Sequence, residues 1–300
     1  MSIFISQLFN GLSLGSIMLL IALGLAITFG LMNVINMAHG ELIMVGAYAT
    51  YVMQLIFSKY LPESLFNYYY FIAIPISFLV ASFIGYLLEK GIIRFLYNRP
   101  TDSLLATWGI SLILQQIARS IFGAPNVAVV APAWMDGGWQ IFGITLPYKR
   151  LLILSLSIVC VALLYYYLNK TSTGLRIRAV TMNRNMASCL GIFTRKIDSL
   201  GFALGAGLAG IAGCSLTLLG PIGPTIGTYY IVDAFMVVIL GGIGGLKGTI
   251  IGAFGIGMLS TVVEYSFGAT MAKVIVFAVI ILFLQWKPLG IFSYRTRALD

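Results

Sequence analysis

The sequence predicts an all-α fold: a polytopic membrane-embedded helical bundle of about eight to ten transmembrane helices, forming one domain over residues 1–300. Three observations carry that expectation. Hydrophobic residues make up 60% of the 300-residue chain and charged residues 9%, a balance far from that of soluble domains. Apolar runs long enough to cross a hydrocarbon core about 30 Å thick, roughly 20 residues of helix each, recur from end to end. The basic residues fall between those runs in a pattern that separates two faces.

Taken in order, spans are predicted over 9–30, 41–57, 68–90, 103–122, 150–168, 200–219, 229–245, 249–266 and 273–287. The second, seventh and eighth are short or rich in glycine, as in re-entrant or broken helices. With the N-terminus outside, thirteen basic residues lie inside: Lys90, Arg94, Arg99, Lys170, Arg176, Arg178, Arg184, Arg195, Lys196, Lys247, Lys287, Arg295 and Arg297. Only Lys59, Arg119, Lys149, Arg150 and Lys273 lie outside, so the positive-inside rule favours this orientation and nine crossings. The same asymmetry accounts for the net charge of +9 through membrane lipid, without a nucleic-acid partner. Nothing basic precedes Lys59, so the first apolar run reads as a permanent span rather than a cleaved signal. Cys160, Cys189 and Cys214 are too scattered for a disulfide or metal framework, and no metal, cofactor or catalytic constellation is expected.

Three hydrophilic stretches interrupt the spans, at 58–67, 123–148 and 169–199. The second is nearly uncharged and carries Pro, Gly, Trp134 and Trp139, the composition of an ordered outer loop with interfacial aromatics. The third is basic and is the one large inner segment. A weak internal repeat also shows: "NMAHGELIMVGAYATYVM" set over "GIGGLKGTIIGAFGIGML" aligns Gly46, Ala47 and Tyr48 with Gly252, Ala253 and Phe254. Each copy opens with helix-breaking residues and is expected to continue into a short small-residue helix.

The stretch "NVINMAHGE" (Asn33–Glu41) sets two asparagines, the only histidine and a glutamate between apolar runs. An ionisable group at the bilayer centre costs roughly 3 kcal/mol or more, so it faces protein or a water-filled path. Asn33, Asn36, His39 and Glu41 are therefore read as lining a translocation pathway where a helix is interrupted; the competing reading is a short inner turn with ordinary caps. The absence of lysine or arginine nearby favours the pathway. Asp233 and Glu264, also in apolar context, are read as solvated acids near helix ends. Repeated small-residue spacings place Gly46, Gly205, Gly245 and Gly252 at helix-packing positions. "GGIGGLKGT" does not have the G-x-x-x-x-G-K-[ST] spacing of a phosphate loop.

The inner segment "KTSTGLRIRAVTMNRNMASCLGIFTRKID" (Lys170–Asp198) surrounds a short predicted helix, Asn185–Leu190, with Arg176, Arg178, Arg184, Arg195 and Lys196, and closes it with Gly191. "NMASCLGI" resembles the loop by which permeases of ABC importers dock a short helix into a groove on the ATPase. With "GLAITFGLMNVINMAHGELIMVGAY" (Gly24–Tyr48), "LLATWGISLILQQIARSIFG" (Leu104–Gly123) and "ILGGIGGLKGTIIGA" (Ile239–Ala253), the whole chain resembles a permease subunit of the branched-chain amino acid class of ABC importers. Within that class "ATWGISLILQQ" and "TMNRNMA" are similar to the urea-type permeases.

The resemblance implies a permease with residues 169–199 as its ATPase-docking loop, in a bacterial plasma (inner) membrane. It implies cytoplasmic ATP-binding subunits, a second permease subunit and an extracytoplasmic solute-binding protein as partners, urea as cargo, and a branched-chain amino acid or short-chain amide as the alternative. It puts Arg184, Asn185, Ala187 and Gly191 at the docking contact, Ala187 and Gly191 as small residues that allow close approach and Arg184 as a charge steering an acidic rim. Many such permeases carry a glutamate where this chain has Asn185, which removes the basis for an ion pair there. An ion-coupled secondary carrier is the remaining alternative, because carriers of that kind use membrane carboxylates as proton relays.

Overall fold

The computed structural model describes residues 2–32, 35–60, 62, 66–97, 99–141, 144–242, 244–288 and 290–292. Among them, eleven helices follow in order: α1 Ser2–Met32, α2 His39–Tyr60, α3 Tyr69–Gly91, α4 Pro100–Phe122, α5 Tyr148–Lys170, α6 Ser172–Met182, α7 Arg184–Cys189, α8 Thr194–Leu216, α9 Ile226–Gly241, α10 Leu246–Phe267 and α11 Ala269–Trp286. Lipid offers no partner for backbone N–H and C=O groups, so apolar runs of this length close their hydrogen bonds internally as helix. Eight helices are long and apolar enough to cross a membrane, and α9 is a shorter apolar helix of 16 residues. At 1.5 Å per residue α9 covers about 24 Å, less than a full hydrocarbon core. The expectation of short second and eighth spans is corrected: α2 and α10 are 22 residues each. The helix breaks lie before them instead of within them.

The bundle is organised around α1 and α8, whose apolar windows are 78% and 83% buried, against 17–28% for α3, α4, α5 and α11. Helices in lipid gain little from apolar contact alone, so close backbone approach through small residues holds the centre. A Cβ on Gly205 would run into the Gly24 carbonyl of α1, at 2.5 Å. One on Gly46 would strike Gly210, and one on Gly213 the Ile43 carbonyl, so α8 seats α2 as well. Gly252 sits 2.8 Å, by the same measure, from the Val237 carbonyl of α9. Gly245 is buried and is the N-cap of α10, its carbonyl accepting from Thr249, and Gly241 and Gly248 approach each other backbone to backbone.

Two groups of helix ends define two faces. On one, Arg150 of α5 donates to Asn10 of α1, and the 123–147 loop ties down through Tyr69, which donates to the Val130 carbonyl (2.6 Å), and Trp134, which donates to the Asn67 carbonyl (2.8 Å). The loop adds a feature absent from the all-α expectation, an antiparallel hairpin of β1 (Gly138–Ile141) and β2 (Ile144–Pro147) with Trp139 opposite Leu146. The opposite, basic face carries the ends of α1 and α3, the α6–α7 segment and the start of α8.

Candidate functional site

The interrupted segment reaches the middle of the bundle. Asn33 lies outside the described residues. Asn36 shapes the turn, its Oδ1 accepting from the Ala38 amide at 3.1 Å, and α2 then begins at His39. His39 Nε2 donates to the Ile21 carbonyl of α1 at 3.3 Å, because a carbonyl only accepts. Ile21 lies eleven residues before the end of α1 at Met32, about 16 Å at 1.5 Å per residue. That is roughly half a 30 Å hydrocarbon core. Gly40 packs backbone to backbone on Gly227, so the N-terminal turns of α2 and α9 meet at this depth.

Glu41, 1% exposed, gathers side chains from two other helices. Its Oε1 accepts from Ser111 Oγ (2.9 Å) and Gln115 Nε2 (2.8 Å) of α4 and from Thr228 Oγ1 (3.3 Å) of α9. Gln115 also donates to Thr228 at 3.0 Å, and Thr107 of α4 accepts from the Met37 amide at 3.2 Å. Three buried polar atoms in this cluster have no hydrogen-bond partner among the described residues: Asn36 Nδ2, His39 Nδ1 and Glu41 Oε2. Buried polar groups are ordinarily satisfied. A donor, two acceptors and two helix N-termini thus converge at mid-depth with hydrogen-bonding capacity to spare, the form in which transporters built on discontinuous helices hold solutes.

The basic segment folds as two capped helices. Thr171 Oγ1 accepts from Gly174 N to start α6, and Asn183 Oδ1 accepts from Met186 N (2.9 Å) to start α7. The chain leaves α7 through Gly191 at φ +80°, a left-handed conformation with open space around it. Its smallness therefore serves the turn. Ala187 is 2% exposed and packed against its own bundle. Arg184, with its side chain 37% exposed, ion-pairs with Asp198 of α8 and lies 5.1 Å from the Tyr97 ring centroid. Asn185 is exposed. The outward side is apolar, with Met186 59%, Leu190 75% and Phe193 74% exposed.

Behind α7 stands a polar network. Tyr97 OH donates to Glu89 Oε1 at 2.7 Å, Arg94 reaches Glu89 Oε2 at 3.3 Å and Ser199 Oγ at 2.9 Å, and Ser199 Oγ donates to Glu89 Oε2. The Glu89 and Asp198 side chains are fully buried. Burial first, then the bond to Glu89, push the Tyr97 hydroxyl well above its ordinary range, so it stays a donor. These contacts fasten the short helix to α3 and α8.

Residues 7–284 match the family described as branched-chain amino acid transport system / permease component. The chain belongs to that permease family. It is 29% identical over 297 residues to the high-affinity branched-chain amino acid transport system permease protein LivH of Escherichia coli, covering 96% of this chain and 95% of that one. It is 29% identical to the corresponding permease protein BraD of Pseudomonas aeruginosa, again over 96% and 95%, and 29% identical to a probable LivH of Methanocaldococcus jannaschii over 92% and 88%. No solved structure matches.

Sequence reasoning missed several residues of this permease's cluster. Thr107, Ser111 and Gln115 lie on one side of α4 at spacings of four, a helical stripe in "ATWGISLILQQ" that marks a polar face. Thr228, Glu89 and Asp198 carry no comparable local pattern. Asp233, read as solvated, is 5% exposed and paired with Lys273 at 3.3 Å, whereas Glu264 is exposed as expected.

Proposed function

We propose that this chain is the multi-pass plasma-membrane permease of an ATP-driven importer, and that Asn36, His39, Glu41, Thr107, Ser111, Gln115 and Thr228 line the passage of a small polar solute. The observation that carries this reading is the cluster where α2 and α9 begin, with Glu41 Oε2, His39 Nδ1 and Asn36 Nδ2 unpartnered among the described residues. Helix N-termini carry partial positive charge and Glu41 is an acid, a pairing that complements the carboxylate and ammonium of an amino acid. The relatives named for branched-chain amino acid transport support the same cargo.

A second cargo, urea, is favoured by one observation. The stripe Thr107, Ser111 and Gln115 that closes on Glu41 and Met37 belongs to the motif similar to urea-type permeases. A neutral solute rich in N–H donors, such as urea or a short-chain amide, also suits free acceptors. The transport cycle needs ATP-binding subunits docked on the Met186, Leu190 and Phe193 face, a second permease subunit and an extracytoplasmic binding protein. ATP hydrolysis belongs to those separate subunits. Leucine and urea, offered with the binding protein to the reconstituted complex, distinguish the cargoes by which one stimulates ATP hydrolysis. Stimulation by neither, with uptake driven by an ion gradient, would assign the chain to secondary transport instead.

A further inference from the structure

A cavity of about 1690 Å³ lies on the opposite side of α1 from Glu41, between α1, α5, the α6–α7 segment and α10. None of the residues named above for solute passage lines it, whereas Arg94, Tyr97 and Arg184 of the polar network behind α7 do. It exceeds the roughly 300–1,000 Å³ of ordinary small-molecule pockets, far more than urea or an amino acid needs. Its walls are mostly apolar, with Ile27 on α1, Ile158 and Val161 on α5 and Phe254 on α10, and Ser157 among them. On α1 the lining runs from Leu19 to Met32, about 20 Å at 1.5 Å per residue. One hydrocarbon leaflet is about 15 Å thick. The cavity is thus long enough to span one leaflet.

The mouth has one sign of charge. Arg94, Arg178, Arg184, Arg195 and Lys247 line it, and no aspartate or glutamate does. Arg94 and Arg184 are neutralised by Glu89 and Asp198 from behind. Arg178 donates only to the neutral Asn169 amide oxygen, and Arg195 and Lys247 have no acidic partner among the described residues. An apolar trough one leaflet deep under uncompensated cations matches an anionic amphiphile.

We propose that this cavity is a binding site for an anionic phospholipid of the cytoplasmic leaflet, its acyl chains along α1 and α5 and its phosphate at Arg178, Arg195 and Lys247. Such a lipid would brace α5 and the segment bearing α7 against α1 and α10, independently of which solute is carried. Basic residues at an anionic membrane surface contribute about 1 kcal/mol each. The test is the lipid retained by the purified permease complex after reconstitution in equal phosphatidylglycerol and phosphatidylcholine and extraction in mild detergent, counted by native mass spectrometry. Wild type retains phosphatidylglycerol, the triple variant Arg178→Gln, Arg195→Gln, Lys247→Gln loses it at least about tenfold, and Arg178→Lys with Arg195→Lys keeps it. Ala162→Trp, which fills the apolar wall, lowers retention with the charges intact. Equal retention of both lipids, or retention undiminished in the triple variant, overturns the site. Full displacement by inorganic phosphate alone reduces it to an ion site and overturns the lipid assignment.

Discussion

Glu41 is held by donors from two helices, and its Oε2 has no partner among the described residues. A hydrogen bond to a charged group contributes about 1.5–3 kcal/mol, so Glu41→Gln lowers solute uptake by roughly 10- to 100-fold while the permease still inserts and binds its ATPase. Uptake by membrane vesicles, normalised to permease level, measures it; wild-type uptake by Glu41→Gln would remove this residue from the pathway. Arg184 and Asp198 make a different kind of claim. Asp198 is fully buried and Arg184 partly exposed, so Arg184→Met strands a buried acid and costs about 3 kcal/mol. The double variant Arg184→Met, Asp198→Leu regains most of that stability. A thermal-melt double-mutant cycle on the detergent-purified protein reads the coupling, and additive losses would show that the pair is not one unit.

At the scale of elements, the short helix α7 and the turn after it present Met186, Leu190 and Phe193 outward and Ala187 inward. Met186→Asp with Leu190→Asp is expected to abolish co-purification of the ATPase with little change in thermal stability, because both side chains lie in solvent. Ala187→Trp acts by the opposite route, unseating α7 from its own bundle and costing about 1–3 kcal/mol by overpacking. Retention of the ATPase by the double aspartate variant would move docking elsewhere. This orientation was not legible in the sequence: six residues give less than two turns, too few for a periodic pattern to tell inside from outside. The polar face of α4 was legible in principle at Thr107, Ser111 and Gln115, but its partner Glu41 lies about seventy residues away, and no local signal joins them. Long spans were legible because continuous apolar runs leave helix as the one way to close the backbone. The break before α2 was legible from its polar residues, and the full length of α2 was not, since Gly46, Thr50 and Gln54 dilute its apolar run while packing inside the bundle.

For the whole molecule, two faces, a glycine-lined centre and a central polar cluster make one arrangement, which the proposed function reads as solute groups at the middle and a docking surface on the basic side. The basic residues predict the orientation. A cysteine placed at Arg178 is expected to react with membrane-impermeant reagents only after the cells are opened, and labelling from outside would invert the topology. The family is described as a permease component, and under the proposed function ATP hydrolysis belongs to separate subunits, so the permease alone is expected to be inert. The most direct measurement is uptake of labelled leucine and urea into proteoliposomes that hold the permease with its ATPase subunits, with binding protein outside and ATP inside. The account predicts uptake of one of these solutes that requires enclosed ATP, disappears with Met186→Asp, Leu190→Asp, and falls sharply with Glu41→Gln. Uptake by the permease alone, without ATP or ATPase subunits and responsive to an ion gradient, would contradict it.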